Sequence, residues 1–80
     1  MAYIPTEKEL RQILATILAG ATGKAETHWK AKLGTLRQVP PTTDPCSNWK
    51  LIDVGGSPND QQAIETAAFL VRGEHPYVNW

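Results

Sequence analysis

Lys24, His28 and Lys32 recur at every fourth position. On a helix that spacing lines three cationic or potentially cationic groups along one stripe. With Arg37 nearby, such a stripe suits a phosphate backbone. Trp29, Trp49 or Trp80 would supply an aromatic plane for stacking on bases. Against this stand eight basic and eight acidic side chains in balance and the absence of a nucleic-acid signature. A solvated helix face beside core tryptophans is the simpler reading. Nucleic-acid contact through Lys24, His28, Lys32 and Arg37 is kept as the alternative function.

Gly55, Gly56 and Ser57 lie between an apolar run and a helical segment, the outline of a phosphate cradle at a helix N-terminus. Neither a Walker pattern nor a dinucleotide glycine pattern is present, and Asp60 would put a negative charge where the anion belongs. An ordinary capped turn is expected. Cys46 and Asp44, with the distant His28 and His75, lack the close paired spacings of a metal site. Glu74 and His75 invite acid–base chemistry, but no third orienting group is apparent and the chain is short for a deep cleft. His75 before Pro76 is expected to end a helix. No catalytic residue, cofactor or metal is therefore expected, and the protein is read as not an enzyme.

The elements that would position these residues follow from local chemistry. Thr6 and Glu9 form a capping box, followed by Leu10, Ile13, Leu14, Ile17 and Leu18 on one helical face. Gly20 is expected at the left-handed cap, with residues 20–23 as the linker of an αα-hairpin. Residues 23–33 alternate at Trp29, Ala31 and Leu33, as a strand would, and repeat by four at Ala25, Trp29 and Leu33, as a helix would. Their Ala, Lys and Glu content favours helix. Residues 35–39 read as a short strand and 40–47 as a proline-rich turn. Residues 48–54 read as the better strand, with Trp49 and Leu51 on one face and Ile52 and Val54 on the other. Ser57 and Pro58 open a last helix. It should run to about Arg72, end at Gly73, and turn Leu70 at least partly inward with Ala63, Ile64, Ala67, Ala68 and Val71.

The predicted fold is α+β, one domain over 1–80, in the order α-α-β-β-α with a two-stranded antiparallel hairpin. A domain of 80 residues has a marginal core, and a lone cysteine cannot close an internal disulfide. The single thiol points to a reducing compartment, and the cytoplasm is the expected location. No apolar run is long enough to span a bilayer.

Residues 74–80 form an aromatic tail, with Tyr77, Val78 and Trp80 costly to leave in water. It would dock on its own core as a short third strand or anchor a partner. Residues 1–40 carry three more basic than acidic side chains, and residues 41–80 the reverse. Opposite halves and open sheet edges favour contact between copies. The expected function is a non-enzymatic protein-interaction module, self-associating as a homodimer through Trp49, Ile52, Val54, Tyr77 and Trp80. Another protein partner is also compatible, and no membrane contact is expected.

Overall fold

A computed structural model describes residues 4–40 and 47–80. The order is α1 (Glu7–Thr22), α2 (Glu26–Lys32), β1 (Thr35–Gln38), β2 (Trp49–Ile52) and α3 (Pro58–Glu74). The strands pair antiparallel, with Leu36 opposite Leu51 and Gln38 opposite Trp49. This is the α+β order that the sequence predicts.

Helix α1 starts where its capping box does. Thr6 Oγ1 accepts from the Glu9 N–H, and Glu9 Oε1 accepts from the Thr6 N–H, both at 3.2 Å. Leu10, Leu14, Ala15 and Leu18 are buried, with Ile13 and Ile17 packed at the margin. The helix does not stop at Gly20. It runs to Thr22, and Gly23 takes the left-handed cap at φ 77°, donating its N–H to Ala19 O. Gly20 is tolerated inside the helix because the end is fixed by Gly23 and by Thr22, whose hydroxyl donates to Leu18 O at 2.6 Å.

Residues 26–32 are helical, so the helical periodicity prevails over the alternation. Arg11 of α1 ties this short helix down. Its guanidinium donates to Gly34 O at 2.7 Å and to Lys30 O at 3.2 Å, satisfying carbonyls at the helix end. Gly34 then turns the chain into β1 with φ 73°, and a Cβ there would lie 2.1 Å from Ile52 O.

Strand β2 ends at Ile52 because Asp53 adopts φ 56°. That left-handed step breaks the expected alternation. Val54 comes round to the side of Leu51, and both pack at the margin of the core. Helix α3 is capped by Ser57, whose Oγ accepts from the Asp60 N–H. It continues through Gly73 to Glu74, with His75 as its cap. Ile64, Ala67, Ala68 and Val71 are buried, whereas Leu70 is 56% exposed. Five consecutive apolar residues from Ala67 to Val71 cannot all face one side of a helix, and the buried stripe leaves Leu70 outside.

All five elements contribute to one core, centred on the buried Trp29 and Trp49. The Trp29 indole N–H donates to Thr22 Oγ1 at 3.1 Å, and the Trp49 indole N–H to His75 O at 2.9 Å. Among the described residues, no helix is long and apolar enough to cross a membrane.

Two glycines differ in what an added side chain would meet: open space at Gly20 and the Ile52–Asp53 backbone at Gly34. Gly20→Ala should raise stability by about 0.5–1 kcal/mol, because the site is interior helix with open space around it. Gly34→Ala should lower it by at least about 2 kcal/mol, since strain and backbone overlap add. Urea unfolding of the two variants reads both signs.

Candidate interaction surface

The basic stripe does not form. Helix α2 begins at Glu26, so Lys24 lies ahead of it, outside the helix. Lys24 Nζ instead reaches Asp60 Oδ1 at 2.8 Å. His28 Nε2 lies 3.5 Å from Asp60 Oδ2, within ion-pair range but without hydrogen-bond geometry. Lys32 packs its stem beside Gly55, and Arg37 stands exposed on β1. The four residues therefore do not share a face of free cations. Asp60 draws two of them inward to the first turn of α3, where a negative charge is favoured.

The same carboxylate occupies the Gly55–Gly56–Ser57 turn. Asp60 Oδ2 lies 2.9 Å from where a Gly56 Cβ would stand. The place an anion would take at this helix end is thus filled from within the chain. Hydrogen bonding from Lys24, opposed by desolvation and helped by the Lys24 charge, the Ser57 backbone and the His28 charge, holds the Asp60 carboxyl below its ordinary value of 3.8. Residues Asp44 and Cys46 lie outside the described residues. Among the described residues, no three His, Cys, Asp or Glu side chains come together as a metal site. His75 serves as the α3 cap and acceptor for Trp49, which gives it a structural task.

The aromatic tail docks on its own chain, with Asn48 as the clasp. Asn48 Nδ2 donates to Val78 O at 2.9 Å, and the Val78 N–H donates to Asn48 Oδ1 at 2.7 Å. The Asn48 N–H donates to Pro76 O, and the Asn79 N–H to Pro5 O. Val78 is buried. The expected third strand is reduced to one parallel bridge between Thr6 and Asn79, away from the sheet edges. A side-chain amide replaces a strand as the pairing partner. Tyr77 and Trp80 remain 47% and 45% exposed.

Trp49 must be removed from the contact set. It is 1% exposed, with Arg72 stacked 4.6 Å over its ring. Its outward N–H and C=O are also taken, since Ser47 Oγ accepts from the first and donates to the second. The register places Leu51 two residues on in the same outward orientation, at the free edge of β2. Ile52 is half-buried on the opposite face.

Beside that edge, β2 and α3 enclose a groove of about 440 Å³, with Leu51, Val54, Ile64, Ala68 and Phe69 as its apolar lining. Lys50, Gln61, Glu65 and Arg72 supply the polar part of the lining. Phe69 at its lip is 75% exposed, the most exposed large apolar side chain among the described residues. Of the expected contact residues only Val54 lines this groove. Leu51 and Phe69 were missed, although Phe69 was legible: it sits about 140° round the helix from Ile64. The groove has the size of a binding site, and its lining mixes apolar side chains with charged ones.

No protein-family model, characterised protein or solved structure matches this chain.

Two outcomes follow from the clasp and the ion pair. Asn48→Ala should cost about 2 kcal/mol, as two hydrogen bonds are lost, and should speed amide exchange at Val78. For Asp60, the depressed folded value means its stabilising effect is present above 3.8 and is lost as pH falls through the folded value. Asp60→Asn should therefore be less stable than wild type at neutral pH, with the gap closing in acid. Urea midpoints measured from pH 7 down to pH ~2 read this.

Proposed function

We propose that this protein is a protein-interaction module that associates with itself through the α3–β2 face. The supporting observation is Phe69, held 75% exposed in the middle of a well-capped helix beside a partly apolar groove. A large apolar side chain in that setting, beside a groove that continues its apolar surface through Leu51, Val54 and Ala68, can anchor a partner. The free edge of β2 at Leu51 adds backbone groups that have no partner among the described residues to the same face.

The contact surface thus moves from the tail to α3. The tail works chiefly in cis, since Val78 and Asn48 hold it to the core. Its location in this reading is the cytoplasm, and its state a homodimer. The nucleic-acid alternative loses its main support with Lys24 engaged by Asp60.

Sedimentation velocity over a wide concentration range tests the proposal. Wild type should shift from monomer to dimer mass as concentration rises. Phe69→Ser should remain monomeric with unchanged circular dichroism, because its side chain is mostly outside the core. Trp80→Ala should still dimerise. A wild-type monomer at all concentrations would overturn the proposal, and a dimer lost with Trp80 but not Phe69 would return the contact to the tail.

A further inference from the structure

The face that carries the proposed function also carries a charge pattern that fits itself. Glu65 and Arg72 are seven residues apart on α3 and line the same groove. Along the helix they are separated by about 10 Å, with Ala68 and Phe69 between them. Among the described residues neither has an ion-pair partner. Arg72 keeps its guanidinium over the Trp49 ring, and its Nε is buried without a hydrogen bond.

We infer that two copies meet with their α3 helices antiparallel, about a two-fold axis passing between Ala68 and Phe69. This rests on the self-association proposed above and specifies its geometry. In an antiparallel two-fold pair, each position faces the one equally far beyond the axis. Glu65 of each copy then faces Arg72 of the other, twice over. Phe69 faces Ala68, so the most exposed large apolar side chain among the described residues meets the smallest apolar side chain of the groove. Each copy supplies one knob and one hole.

A parallel pairing would fail on the same residues. It would set Glu65 against Glu65 and Arg72 against Arg72, and like charges facing each other disfavour that arrangement. The helix sequence therefore selects one orientation.

The experiment is a charge exchange between copies, read by sedimentation velocity at matched concentration. Glu65→Arg alone puts two arginine pairs into its homodimer, and Arg72→Glu alone puts in two glutamate pairs. Each variant should self-associate at least about tenfold more weakly than wild type. Mixed in equal amounts, they should form a heterodimer, because both arginines of the first variant then face glutamates of the second. Circular dichroism of each variant checks the fold, since Arg72→Glu also removes the cation over Trp49. If that variant loses structure, Arg72→Gln takes its place, and the mixture should still exceed the Glu65→Arg homodimer.

Loss in each variant with recovery on mixing supports the antiparallel contact. Variants that dimerise as well as wild type overturn this geometry while leaving self-association standing. Folded variants that stay monomeric when mixed overturn the reciprocal pairing. A wild type that never dimerises removes both proposals.

Discussion

The buried indole N–H is the constraint on which the rest of the structure depends. Two tryptophans are the largest side chains in a small core, and each carries a donor that must be satisfied out of water. Both find acceptors at the end of a helix. Trp29 uses Thr22 at the close of α1, and Trp49 uses His75 at the close of α3. Each indole thereby fixes where a helix stops and how the following chain leaves it. A basic side chain covers each ring, Lys24 at 5.4 Å and Arg72 at 4.6 Å. The same device, with indole inside, helix end as acceptor and cation as lid, occurs at two corners of the molecule.

This explains why the elements were legible and some of their ends were not. Caps such as Thr6 with Glu9, and Ser57 with Asp60, act between residues three apart, so sequence spacing carries them. The end of α1 is different. Gly20 and Gly23 are equally good left-handed residues taken alone. What selects Gly23 is Thr22, whose hydroxyl donates to Leu18 O and accepts from Trp29. Similarly, the start of α2 is drawn past Lys24 by an ion pair with Asp60, thirty-six residues away. Val54 changes sides through one left-handed residue, Asp53, which no alternation rule anticipates.

The candidate surface was legible in part for related reasons. An aromatic tail announces that it must be buried, but its clasp is an asparagine with no local pattern, joined to Val78 across thirty positions. Trp49 reads as a surface anchor from composition and becomes a core residue because Arg72 and His75 close over it. Phe69 needed only local arithmetic. Once Ile64, Ala67, Ala68 and Val71 define the inward face, the residue between Ala68 and Leu70 has to point away.

The magnitude of that exposed side chain sets the strength expected of the contact. Burying a phenylalanine contributes about 1.5–3 kcal/mol, so two reciprocal Phe69 rings give roughly 3–6 kcal/mol. Association itself costs about 4–15 kcal/mol in lost rigid-body freedom. The rings alone therefore lie at or below break-even. The groove lining at Leu51 and Val54 and the Glu65–Arg72 pairs would have to supply the difference, and exposed ion pairs contribute at most about 1 kcal/mol each. The proposed dimer is therefore expected to be reversible and concentration-dependent, with its orientation chosen by charge and its affinity coming mainly from apolar burial. Such a contact leaves the core intact in the single copy. That agrees with a chain whose two buried tryptophans and four capping interactions are complete without a partner.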